Sequence, residues 1–231
     1  VFTPQNTPNF GVNFAAVSSG AALISSLSPA AWYRYGVGIT SAGSLVSAWA
    51  DQSGNGRNLL QATGTNQPTL DTDNSILFDG VDNWMAALYT RNQPRTCYLL
   101  FKQVTWTNDD RIMDGGTAGG GAMILAQAPA TPNIAVNAGA AFGANGPALG
   151  AFAVVAVVYN NAASLIQVNN NAAQTGTAGS NSANGLTLAA TRSGGSGWAN
   201  VAFKEVIDFP AAHDAATRAR VIRYLQQVGA L

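Results

Sequence analysis

The chain has 231 residues, eleven Lys+Arg against eleven Asp+Glu, and only 10% charged side chains. That balance offers no basic surface for nucleic acid. Single copies of Glu205, His213 and Cys97 exclude a Glu pair, a histidine metal cluster and an intrachain disulfide.

Residues 1–28 are Asn, Thr, Ser, Ala, Gly and Pro with scattered apolar side chains and no charge. They read as an extended N-terminal arm or linker that orders only by packing on something else. A single domain is expected over 29–231.

From Trp32 onward, short β-branched or aromatic runs alternate with turn clusters. The pattern predicts strands at Trp32–Tyr35, Val46–Ala50, Ser75–Phe78, Trp84–Leu88, Thr96–Val104 and Arg111–Met113. Further strands are expected at Ala122–Ala126, Asn133–Asn137, Phe152–Tyr159, Ser164–Val168, Leu186–Thr191 and Val201–Phe209. Ser53-Gly54-Asn55-Gly56, Asp79-Gly80, Asn145-Gly146 and Gly194-Gly195 supply the turn chemistry between them. So many short strands imply an all-β, two-sheet antiparallel jelly-roll sandwich. The apolar run Pro147–Tyr159 is shorter than the roughly 20 residues of a membrane span and reads as a buried strand. Near the end the period changes. Val221, Ile222, Leu225 and Val228 share one face behind Asp214, which predicts one C-terminal helix over 214–228.

Three segments carry a resemblance. They are Leu27-Ser-Pro-Ala-Ala-Trp-Tyr33 with Trp49-Ala-Asp-Gln-Ser-Gly-Asn-Gly-Arg-Asn58; Leu77-Phe-Asp-Gly-Val-Asp-Asn-Trp-Met85; and Lys204-Glu-Val-Ile-Asp208 followed by the terminal helix. In order and spacing they resemble the laminin G-like branch of the concanavalin A-like lectin/glucanase superfamily, in the form common in bacteriophage structural proteins and secreted bacterial proteins. The resemblance implies a fold more than an activity.

Glucanases of that superfamily carry a Glu-x-Asp-x-(x)-Glu strand, whereas here Glu205 and Asp208 stand three apart, face opposite sides of a strand and lack the second Glu. The lyases' Gln-x-His is absent around His213, so no catalytic residue is expected and the chain reads as a non-enzyme. Relatives often bind calcium. The turn residues Asp79, Asp82 and Asn83 are the candidate for a weak calcium site, set against plain turn capping. Asp51, Ser53 and Asn55 mimic the start of an EF-hand loop, but Ala62 cannot supply its closing carboxylate. For glycans, an aromatic platform and planar amides are needed, and Trp106 with Asn108 and Trp198 with Asn200 lie in polar, turn-rich segments. Trp32, Trp49 and Trp84 read as core.

The function expected from this reading is a non-catalytic virion or cell-surface module that binds glycans or a host surface in a phage tail or fibre. The alternative is a structural capsid decoration or head-fibre protein docking through residues 1–28 onto virion proteins or its own copies. A polysaccharide-degrading enzyme ranks third. The expected location is the virion or the extracellular space, with no nucleic-acid partner, no membrane span and no further cofactor.

Overall fold

The computed structural model describes residues 14–115 and 123–231. The first element is a helix, α1 (Phe14–Ser26), inside the segment expected as an extended arm. Its sequence is rich in Ala and Ser, uncharged and interrupted by Gly20, so intrinsic propensity is modest and tertiary packing must hold it. Ile24 supplies that packing, buried beneath the helix. Gly20 approaches Tyr224 so closely that a Cβ there would lie 2.3 Å from the ring. The helix ends where Ser28 takes a left-handed φ of 54° ahead of Pro29. Residues 1–13 of the expected arm lie outside the described residues.

The strands follow as β1 (Ala31–Tyr33), β2 (Ile39–Ala42), β3 (Leu45–Trp49), β4 (Leu59–Leu60), β5 (Thr69–Leu70), β6 (Ile76–Asp79), β7 (Met85–Arg91) and β8 (Arg95–Gln103). The second half holds β9 (Arg111–Asp114), β10 (Ile124–Gln127), β11 (Ile134–Asn137), β12 (Ala141–Ala144), β13 (Phe152–Tyr159), β14 (Ser164–Val168), β15 (Gln174–Gly176), β16 (Ala183–Leu188) and β17 (Asn200–Phe209), closed by α2 (Ala215–Gly229). Among the described residues the chain is thus an antiparallel all-β fold with two α-helices, one more than the single terminal helix expected. Ala122, the start of one expected strand, lies outside the described residues.

Two runs of pairing organise the strands. In one, β17 pairs with β1 and β6 on one side and β8 on the other, and β8 leads on to β13, β14 and β15. The other runs β2–β3–β4–β7–β16–β9–β10–β11–β12. β5 pairs with both β3 and β6, so hydrogen bonding passes from one run into the other and the sheet is nearly closed.

The larger core cluster takes Phe101, Val155 and Phe203 from the first run and Ile112, Leu125 and Leu186 from the second. A smaller cluster, including Trp32, Leu100 and Ile207, lies on the other face of the first run beneath Val221, Ile222 and Leu225 of α2. Strands β8, β13 and β17 are therefore buried on both faces, which explains uninterrupted apolar runs such as Val154-Val-Ala-Val-Val158. Asp214 caps α2 by accepting from the Thr217 amide at 2.7 Å.

A register shift between Phe203 and Glu205 leaves Lys204 as the extra residue of a β-bulge against β8. It accounts for the imperfect alternation of that strand. Phe203 faces the larger core, Glu205 the helix side, and Val206 the larger core again. Among the described residues, no helix is long and apolar enough to cross a membrane.

Candidate functional site

The Asp51–Arg57 turn builds one wall of the site. Asp51 Oδ1 accepts from the amides of Trp32 (2.9 Å) and Ser53 (2.8 Å), and Oδ2 from the Ser53 hydroxyl (2.8 Å) and the Arg57 amide (3.0 Å). Asn55 Nδ2 donates to the Ala30 carbonyl at 3.1 Å, tying the turn to the start of β1. The EF-hand-like order of acceptors is thus spent on the turn itself, as Asx turns do. The result is a fixed Arg57. Its Nη1 donates to the Ala30 carbonyl at 2.8 Å, and its guanidinium carbon sits 4.6 Å from the centre of the Tyr89 ring.

Two depressions meet at Arg57. One, of about 520 Å³, is lined by Trp32, Gln52, Asn55, Arg57, Thr90 and Arg95, with small polar residues from the end of α1. The other, of about 620 Å³, is lined by Arg57, Asn58, Gln61, Thr63, Trp84 and Leu88. Trp84, expected in the core, is only half-buried and stands at this surface. Gly194 packs against its indole, where a Cβ would fall 2.1 Å from Nε1.

Behind the first depression lies a buried ionic cluster. Asp208 Oδ2 pairs with Arg95 Nη1 at 2.5 Å and Arg91 Nε at 3.3 Å and accepts from the Tyr89 hydroxyl at 2.7 Å. Cys97 Sγ lies 3.1 Å from Asp208 Oδ1 and 3.0 Å from Arg91 Nη2. Burial raises the Asp208 carboxyl, but the two guanidiniums outweigh it and hold the pKa below the ordinary carboxylate range. Burial pushes the Cys97 thiol up to about 12 and Tyr89 well above its usual value, so both are neutral.

Glu205 occupies the opposite face of β17. Its Oε1 accepts from Trp32 Nε1 (2.7 Å) and the Tyr224 hydroxyl (2.8 Å), and its Oε2 from the Tyr35 amide (3.3 Å). Burial pushes its pKa up to about 6 despite these donors. Such a value suits an acid catalyst, but Glu205 is 0% exposed and serves to tie α2 to β1 and β17.

The sequence-predicted residues lie elsewhere. Trp106 is half-buried and donates to the Asn133 carbonyl at 3.4 Å, while Asn108 is exposed nearby. Trp198 bridges Arg111, and Asn200 pairs with Asp79 across β17 and β6, so Trp198, Asn200 and the Asp79 turn share one end of the molecule. Asp79 Oδ1 accepts from the amides of Val81 (2.9 Å) and Asp82 (3.4 Å), Asn83 Oδ1 from the Asp79 amide (3.3 Å), and Asp82 Oδ1 from Asn83 Nδ2 (3.3 Å). These bonds are internal turn capping. Among the described residues no group of three His, Cys, Asp or Glu side chains is arranged to hold a metal.

Neither depression is lined by any of these seven residues. Sequence reasoning missed Arg57, Arg91, Arg95 and Asp208 as one neighbourhood. Two arginines bracketing a short turn between apolar strands were its one visible trace.

Neither family models nor curated proteins yield a match to this sequence. Solved structures do. A GH54 α-L-arabinofuranosidase soaked with a cyclic sulfate inhibitor matches with a TM-score of 0.60 at 15% identity, over 80% of this chain and 51% of that one. Trypanosoma rangeli sialidase bound to 2,3-difluorosialic acid matches with a TM-score of 0.61 at 12% identity, over 93% of this chain and 38% of that one. The chain therefore spans about half or less of these proteins. At such identities the likeness defines the fold alone. It nevertheless corrects two expectations. The sequence alone reads as a non-catalytic phage or cell-surface module and as a non-enzyme, whereas its fold recurs in chains that are glycosidases.

Proposed function

We propose that this chain is a carbohydrate-active unit of glycosidase type that seats a saccharide in the groove crossing Arg57. The two runs of strands are taken as the facing sheets of a jelly roll, in keeping with the laminin G-like resemblance. The observation that carries the reading is the meeting of the two depressions at Arg57. One side offers the Trp84 ring for the apolar face of a pyranose or furanose, and both sides offer amides (Gln52, Asn55, Asn58, Gln61) that can re-pair sugar hydroxyls as water leaves. Glycoside cleavage calls for carboxyl groups at the groove. Two lie behind its lining and not in it: Asp51, bonded to the Arg57 amide, and the buried Asp208, paired with Arg95.

Incubation with arabinofuranosides, sialosides and oligosaccharides, read as release of new reducing ends, tests the reading. Cleavage of one class is expected, with kcat/KM reduced about tenfold in Trp84→Ala through loss of the ring platform. Absence of cleavage across the panel overturns it.

A further inference from the structure

We infer that the depression between Arg57 and Arg95 recognises an acidic sugar, a ring bearing a carboxylate or sulfate, and not a neutral one. The inference rests on the saccharide reading above and adds the class of ligand.

The argument is one of charge. Three guanidiniums, those of Arg57, Arg91 and Arg95, stand against two carboxylates, those of Asp51 and Asp208. Tyr89 and Cys97 are neutral, so one positive charge is left unbalanced. Glu205 does not offset it, because it lies on the other face of β17, bonded to Trp32 and Tyr224.

The surplus is costly because it is buried. The side chains of Arg91 and Arg95 are only 0% and 4% exposed, and burial of an uncompensated cation is strongly unfavourable. Arg91 is sealed in, but Arg95 and Arg57 both line the depression, so an anion entering there meets the surplus directly.

Geometry points the same way. Among the described residues no carboxylate forms an ion pair with Arg57, and one of its nitrogens is engaged with the Ala30 carbonyl. The Tyr89 ring, 4.6 Å from the guanidinium carbon, supports Arg57 from one side, and the guanidinium nitrogens not bonded to Ala30 can take acidic oxygens. Around it Gln52, Ser53, Asn55 and Thr90 supply neutral hydrogen-bonding groups suited to the hydroxyls of the same ring. The volume of about 520 Å³ accommodates a sugar ring with its acidic substituent.

Calorimetric titration of the whole chain with trigalacturonate, its carboxyl-reduced neutral counterpart and a sulfated galactotriose tests this. At least one acidic probe should bind about tenfold more tightly than the neutral one, and that preference should weaken with salt. Arg57→Gln should abolish the preference while lowering the melting temperature by only about 5 °C, since Arg57 is half-buried and what is lost is one side-chain hydrogen bond and the contact with Tyr89. Arg57→Lys, which keeps charge but not the fork, should retain part of it. Equal affinity for acidic and neutral probes overturns the inference and leaves the saccharide reading standing. No affinity for any of the three overturns the inference, and the cleavage panel above then decides the saccharide reading separately. A preference that survives Arg57→Gln places acidic recognition elsewhere and also overturns it.

Discussion

Glu205 and Asp208 are three residues apart on one strand and both buried, yet the chain treats them in opposite ways. Glu205 faces the helices and accepts hydrogen bonds from neutral donors, with Arg34 only a weaker influence behind them, and burial pushes its pKa up to about 6. Asp208 faces the larger core, meets two guanidiniums and is held low. Burial is common to both. The partner decides the sign, because desolvation is offset only where an opposite charge stands within a few ångströms.

Breaking the Asp208 side should have the larger effect. Asp208→Asn keeps the shape but leaves Arg91 and Arg95 without a counter-charge, and should cost about 3–5 kcal/mol in urea unfolding. Arg91→Met is the sharper variant. It removes the surplus cation while Arg95 still neutralises Asp208, so its cost should be smaller, roughly 2 kcal/mol, mostly from the lost bonds to Asp208, Gly185 and Cys97. If Arg91→Met proves the more damaging, the cluster carries no surplus.

The two carboxylates should also answer pH with opposite signs. Between its ordinary 4.5 and about 6, the unfolded chain has lost the Glu205 proton that the folded chain retains. Stability from this group therefore falls as pH rises through that window, by about 2 kcal/mol in full. Glu205→Gln should flatten that slope in melting curves taken from pH 4 to 7. Asp208 does the reverse. Its contribution is full above the unfolded carboxylate's pKa and is lost as pH falls through its depressed folded value. The smallest effect expected is that of Tyr224→Phe. Loss of one donor to Glu205 Oε1 should cost about 1 kcal/mol and move the Glu205 window to higher pH, as a side-chain NMR titration would show.

Much of the fold was legible locally. Phe152–Tyr159 and Ser164–Val168 are strands with the bounds expected, and α2 lies where its apolar spacing and Asp214 cap place it. What escaped notice has a physical cause. Strands β4, β5, β12 and β15 are only two to four residues long, too short for a period to show. Helix α1 carries no charge or cap signal and exists by packing on α2. The groove escaped for another reason. Arg95 and Asp208 are separated by 113 residues, and local pattern says nothing of which distant strands will meet. Polar neighbours mark Trp106 and Trp198 in the sequence, whereas Trp84, at the head of the apolar-patterned run that forms β7, is the tryptophan lining the second depression.

The close seat of Gly20 under Tyr224 has a mechanical consequence. Tyr224 is bonded to Glu205, and β1, which follows α1 directly, is paired with the same strand, β17. A pull entering through α1 is therefore divided between two routes into β17, one through the β1 ladder and one through the helix contact. Neither yields by unzipping one bond at a time while the other holds. β1 and the two helices together resist a force that β1, with its three residues, would not withstand alone.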